Sequence, residues 1–281
     1  MLCGMLSAFC YSTLGGGDVG EIDRSRRIAF EEVAELYDEV RPSYPEELVQ
    51  DVIALSGIPP DGRILEIGPG PGNATIPFAR QGYRILAIEL GERLAALATR
   101  NCRAYPGVRI LNMAFEDWVL EERAYDLAIS ADAFHWIRPE VGYPKVARAL
   151  RDGGSLAFFW NVPADPGTDW SREIERVFLE RAPHIQNPDT LFTLDWVIGI
   201  ITGNVDASGC FGEVTVRDYS WSETHTTEQY LKTLRTFSGH RDLDEGLRQE
   251  LYASIRAVLE RFGGRVIKPY QVVLFHARVK R

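Results

Sequence analysis

Two carboxylates and a run of glycines carry the most distinctive chemistry in this chain. The stretch Arg63-Ile64-Leu65-Glu66-Ile67-Gly68-Pro69-Gly70-Pro71-Gly72-Asn73 lines up an apolar strand, an acid, a glycine-rich loop and the start of a helix. Glycines at a strand-to-helix turn let a ligand approach the backbone without Cβ clashes, and the first N–H groups of a helix have no intrahelical partner. Roughly 20 residues on, Tyr83-Arg84-Ile85-Leu86-Ala87-Ile88-Glu89 predicts a second strand ending in an acid, where a carboxylate can accept both hydroxyls of a ribose. The pattern is that of a nucleotide cradle.

The residues around the loop separate two candidate ligands, a pyrophosphate-bearing dinucleotide and S-adenosylmethionine (SAM). The dinucleotide fingerprint G-x-G-x-x-G/A needs a small third residue where helix packs on strand. Gly68 and Gly70 fit it, but the third position is Asn73. Glu66 is expected at the mouth of the strand, where its charge would repel a pyrophosphate and suit a ligand carrying an ammonium and a sulfonium. That charge favours SAM. The competing readings are an NAD(P)-linked oxidoreductase, a SAM-binding module without an acceptor site, and a tight turn that binds nothing.

On these residues the chain resembles the class I SAM-dependent methyltransferases from about Phe30 onward. Leu65 to Gly72, with Gly68, Gly70 and Gly72, looks like the first motif of that family, and Glu89 looks like its ribose-binding acid. Asn112-Met113-Ala114-Phe115-Glu116-Asp117-Trp118 occupies the place where such enzymes hold the adenine: the Ala114 backbone, the face of Phe115, and Glu116 or Asp117 as acceptor. Ser130, at the end of the fourth strand, is a further cofactor-binding candidate because ligands of such alternating sheets bind beyond the carboxyl ends of the strands. Tyr37-Asp38, Arg41-Pro42-Ser43-Tyr44-Pro45 and His135-Trp136-Ile137 are similar to a narrower subgroup that includes trans-aconitate methyltransferase-like proteins.

A sulfonium methyl is electrophilic, so such an enzyme must mainly hold an acceptor atom in line with the S–CH3 bond and exclude water. A hydroxyl or activated-carbon acceptor also needs a base. His135, just beyond the fourth strand, is the candidate, with a pocket-wall role as its alternative. Arg41 could grip the carboxylate of SAM or of an acidic acceptor, or pair with Glu39. Tyr37 and Tyr44 could cover the cofactor, and Trp160, Asn161, Trp196, Tyr219 and Trp221 are weighed as acceptor-side walls, with core burial as the alternative for each. The Asn-Pro-Pro-Tyr type stretch of enzymes that methylate adenine or glutamine is replaced by Ser130-Ala131-Asp132-Ala133, which points to a small-molecule acceptor.

These residues are positioned by an alternating α/β pattern. A helix is predicted over Pro45–Ser56, then strand (Arg63 onward), helix (Asn73–Gln81), strand, helix (Arg93–Arg103), strand (Val108–Met113), strand (Tyr125–Ser130), helix (Val141–Arg151) and strand (Ser155–Val162). Val214–Ser222 and Val266–Val279 read as closing strands. The fold class is therefore a Rossmann-like, doubly wound α/β sheet, mostly parallel with an antiparallel closing strand, plus helical insertions forming a lid. The domain reading is a flexible tail (1–29), a SAM-binding core (30–162), an insertion or lid (163–210), and closing strands (211–281) with inserted helices (223–264). In that last insertion Leu247, Leu251, Ile255, Val258, Leu259 and Phe262 recur at helical spacing, and a shorter helix capped by Thr226 or Thr227 carries Leu231, Leu234 and Phe237.

At 281 residues, 45% hydrophobic and 25% charged, the chain can bury a full core. A net charge of −9 gives no broad basic footprint, so the partner expected is a small-molecule substrate and not a nucleic acid. The four cysteines lack zinc-site spacing, so no metal is expected, and they suit a reducing cytoplasm. No run is long enough to cross a membrane, and oligomeric state is not legible.

Overall fold

The computed structural model describes residues 34–40, 43–185 and 193–281. The expected tail and Arg41 lie outside the described residues. Seven strands form one sheet in the order β3-β2-β1-β4-β5-β7-β6. These are β1 (Arg63–Ile67), β2 (Arg84–Glu89), β3 (Val108–Asn112), β4 (Tyr125–Ala131), β5 (Leu150–Pro163), β6 (Thr215–Thr226) and β7 (Arg265–Arg278). The first five run parallel, β7 is antiparallel to β5, and β6 is antiparallel to β7.

Strands β1, β2 and β4 are nearly continuous apolar runs because helices cover both faces of the sheet. Ile64, Leu65, Ile85, Leu127 and Ile129 are all buried. The covering helices are α1 (Ala34–Val40), α2 (Glu46–Ser56), α3 (Thr75–Arg80), α4 (Glu92–Asn101) and α5 (Pro139–Ala149). Strand order reverses between β1 and β4, and that crevice at the carboxyl ends is where open α/β sheets bind ligands.

After β5 the chain adds α6 (Asp169–Arg181) and α7 (Leu194–Ser208), and between β6 and β7 it adds α8 (Thr227–Arg235), α9 (Ser238–Arg241) and α10 (Glu245–Arg261). Helix α7 packs on α5 and β7 through buried Val197, Ile201 and Val205, so it is a layer of the sheet's covering. Helices α6 and α10 pack on each other; Leu251, Ile255, Val258 and Leu259 are buried, whereas Phe262 at the end of the stripe is 38% exposed. Thr226 caps α8 in a reciprocal capping box with Gln229. Helix α8 lies against α1, and α1 against α4. Lys232 of α8 pairs with Glu39 of α1 at 2.5 Å. This run of helices ends over the sheet's carboxyl edge, because Tyr37 of α1 lines the cleft there.

Candidate active site

A cleft of about 880 Å3, its mouth included, opens where β1, β2 and β4 end. Its floor is Ile67 to Pro71, one side is Ile88 to Leu90 with Phe115, and the other is Ala131 to Ala133 with Trp136 and Ile137. Tyr37 and Tyr44 close it from the leader. A lining of mostly apolar side chains with a few polar groups is that of a site for a small molecule.

Of the residues singled out from the sequence, Gly68, Gly70, Glu89 and Phe115 come together on this wall. Gly68 has φ +68, and a Cβ there would sit 2.5 Å from the Ala133 Cβ, so the close approach of the loop to the β4 end requires glycine. Gly70 has φ +57, and a Cβ there would meet nothing within 4 Å and so would project into free space. Phe115 is held in a short 3-10 turn, stacked with Trp118 at 6.0 Å, with Lys145 Nζ 5.3 Å from its ring centre.

Glu89 is 7% exposed and has a more particular arrangement than the sequence suggested. Its Oε2 accepts from Gly70 N at 3.0 Å, and its Oε1 accepts from Gly91 N at 2.9 Å. The amides of Gly68 and Gly72 donate to Ile88 O and Pro69 O. At these glycines each amide is engaged inside the protein, one of them by a carboxylate.

Several expected positions lie elsewhere. Glu66 is not at the mouth but beneath the loop, fully buried at 0% exposure, with no well-formed hydrogen bond to either carboxyl oxygen. It pairs in register with Ala87, two residues short of Glu89, so its side chain lies below the loop, next to Thr75. Burial pushes its carboxyl up to about 8; the Thr75 hydroxyl opposes that shift and the like charge of Glu89 adds to it. Glu66 is therefore mostly protonated at neutral pH, and the charge that faces a ligand comes from Glu89. Ser130 is likewise buried and donates from Oγ to Ile67 O at 2.7 Å, tying β4 to β1. Gly72, Ala114 and Glu116 are off the wall; the Ala114 carbonyl accepts from Asp117 N and Trp118 N, and the Glu116 carbonyl from Lys145 Nζ.

His135 is also off the wall. Trp160 Nε1 donates to its Nδ1 at 3.1 Å. An indole nitrogen can only donate, so the neutral imidazole carries its proton on Nε2 and presents a donor there, not a base. Trp160 is fully buried, and Tyr219 is buried with its hydroxyl donating to Asp51 at 2.6 Å, so both belong to the packing.

The sequence reading missed Asp132 as a site residue. It lines the cleft, is 8% exposed, and has φ +53. Its carboxylate accepts from Tyr44 Oη at 2.9 Å, Asn161 N at 2.9 Å and Asn161 Nδ2 at 2.8 Å. Its signal was an acid immediately after β4, in the stretch compared only with Asn-Pro-Pro-Tyr.

Residues 64–154 match the family described as Methyltransferase domain. The centre of this chain, about a third of it, is thus similar to that domain. A protein of Mycobacterium tuberculosis named an uncharacterized methyltransferase is 30% identical over 155 residues, which are 55% of this chain and 60% of that one. The chain thus spans about 60% of the length of the curated relatives it matches first. Among solved structures, the phosphoethanolamine N-methyltransferase 2 of Haemonchus contortus aligns with a TM-score of 0.53 at 14% identity, over 92% of this chain and 59% of that one. A (4+2)-cyclase, SpnF, aligns with a TM-score of 0.55 at 15% identity, over 91% and 96%. These two likenesses establish the fold, which the methyltransferase domain shares with an enzyme named for other chemistry. SAM is the cofactor expected of the matched domain.

Proposed function

We propose that this chain is a SAM-dependent methyltransferase that acts on a small organic acceptor. The observation that carries the reading is Glu89, a carboxylate on the cleft wall bonded to the Gly70 amide. A pyrophosphate above Gly70 would find that N–H already engaged and a negative charge beside it, whereas a cationic adenosyl ligand meets an acceptor for its ribose and an attractive field. The named solved relative from Haemonchus contortus is described in complex with S-adenosylhomocysteine. The residues present suit SAM: Glu89 for the ribose, Phe115 and Leu90 for the base, and the glycine floor for close backbone approach.

When bound, SAM supplies an electrophilic methyl group. The chain's own part is to bind, orient and dry the site. Tyr37 and Tyr44 cover the cleft, Trp136 and Ile137 give it apolar walls, and α1 is held over it by α8 and α4. The largely apolar lining and the net charge of −9 favour a small acceptor over a polyanion. The subgroup likeness in Tyr44 and His135-Trp136-Ile137 favours small metabolites as well. Among the described residues no helix is long and apolar enough to cross a membrane. The described cysteines, Cys102 and Cys210, are free, which accords with a cytoplasmic setting.

Calorimetric titration tests the cofactor: S-adenosylhomocysteine should bind in the micromolar range and NADH should not, and the reverse result would reject the reading. Incubation with methyl-labelled SAM and a small-molecule extract tests the reaction. Binding without transfer to any component would leave only a SAM-binding module.

A further inference from the structure

We propose that Lys145 is a positioning residue of the base-side wall: its ammonium, reaching from α5, clamps the turn that carries Phe115 and so fixes how the cleft reads the base of an adenosyl ligand. The proposal rests on the methyltransferase reading above.

A 3-10 turn as short as Phe115–Asp117 has little to hold its own shape. Asp117 N and Trp118 N donate to Ala114 O at 3.1 and 3.2 Å, and Trp118 N also lies 3.3 Å from Phe115 O. The next carbonyls along are held from outside the turn. Lys145 Nζ donates to Glu116 O at 2.8 Å and to Trp118 O at 2.6 Å. The same ammonium lies 5.3 Å from the Phe115 ring centre and 5.7 Å from a Trp118 ring centre, within reach of a cation–π attraction to each of these stacked rings. Burial lowers the Lys145 pKa, and the charges of Glu116 and Asp117 oppose that shift. A charged donor in such a half-buried place makes stronger hydrogen bonds than a neutral one.

Helix α5 is itself fixed against the opposite wall. Gly142, near its start, lies so close to the segment before the helix that a Cβ there would sit 2.8 Å from Phe134 Cζ and 2.9 Å from Ile137 Cγ2. Tyr143 then packs edge-on to Phe134 at 5.0 Å. Trp136 and Ile137 line the cleft on the β4 side, and Phe115 lines it on the β2 side. One helix, docked on the first wall by Gly142 and Tyr143, thus sets the position of the second through a single ammonium. Removing that charge leaves two carbonyls without their partner and lets the turn shift, whereas recognition needs contact groups held to within about 0.5 Å.

The test needs no knowledge of the acceptor. S-inosylhomocysteine differs from S-adenosylhomocysteine at the edge of the base, where an oxygen replaces the amino group, and shares its ribose and amino-acid part. The ratio of their affinities therefore isolates the base. Calorimetry should show the unaltered protein preferring the adenosyl ligand by about tenfold or more. Lys145→Met keeps the apolar stem and removes the ammonium; it should cut that preference to about threefold or less, chiefly through weaker S-adenosylhomocysteine binding. Lys145→Gln, which keeps an N–H donor for the turn, should fall between the two and serves if the methionine variant does not fold. A role confined to stability would weaken both ligands alike, so equal losses would overturn the proposal. An unchanged preference in a folded variant, or no preference in the unaltered protein, would overturn it too. If the unaltered protein binds neither ligand, the methyltransferase reading itself fails.

Discussion

Replacing Glu66 by glutamine should stabilise the protein at neutral and alkaline pH, by an amount that grows with pH over a defined window. The carboxyl is fully buried and its folded-state value is about 8 against an ordinary 4.5. Below the unfolded value both states hold the proton and the site is neutral to stability. Between the two values the unfolded chain has released its proton while the folded one keeps it, so stability falls as pH rises, by about 1.4 kcal/mol per unit. At pH 7 the accumulated cost is on the order of 3 kcal/mol, approaching about 5 kcal/mol above the folded value. Glutamine keeps the shape and cannot titrate. Urea unfolding of both proteins from pH 5 to 8.5 isolates the site, since all other titrating groups cancel in the difference. The amide adds only a constant offset from its unmatched N–H groups. A difference that stays flat across that range would refute the reasoning, because it would mean that Glu66 ionises in the folded protein without penalty.

Three other outcomes follow from the geometry. Glu89→Ala should weaken S-adenosylhomocysteine binding by about 1.5–3 kcal/mol, since a charged acceptor is lost and two backbone amides are left to water; calorimetry measures it, and an unchanged Kd would remove Glu89 from the site. Gly68→Ala should cost at least about 1–2 kcal/mol of stability from the left-handed backbone alone, with the Ala133 clash in addition, so the double change with Ala133→Gly should recover part of the loss in urea unfolding. Lys232→Ala should shift stability by less than about 1 kcal/mol, because the Lys232–Glu39 pair is exposed and salt-screened; a larger loss in thermal unfolding would show that this tether, not apolar packing, holds α1 in place.

The order of elements was legible because period and punctuation agree along most of the chain. The strand ending at Glu89 and the helix after it fall within a residue or two of expectation, and the closing strands pair antiparallel as the family resemblance implied. What a linear reading could not supply was the placement of individual side chains. Glu66 and Glu89 look alike as acids ending apolar strands, yet one is sealed under the loop and the other lies on the cleft wall. The difference is depth and not facing: Glu66 pairs in register with Ala87, two residues below Glu89 on the same face of the sheet, which puts it beneath the loop and not beside it. His135 and Asp132 differ in placement in a similar way, Asp132 lining the cleft and His135 lying behind that wall against Trp160. The histidine was singled out for an intrinsic pKa near neutrality, which says nothing of an indole N–H 25 residues away in sequence. The aspartate drew no notice because its partners, Tyr44 and Asn161, come from the leader and from β5.

The two acids that matter therefore serve one electrostatic arrangement in different ways. Glu89 is anchored by backbone amides of the loop and of the segment leading into α4, so it remains an acceptor whatever the cleft contains. Asp132 is anchored by Asn161 of β5 and also by Tyr44, a side chain from the leader that covers the cleft. Movement of the leader would remove one anchor of the second acid while leaving the first intact.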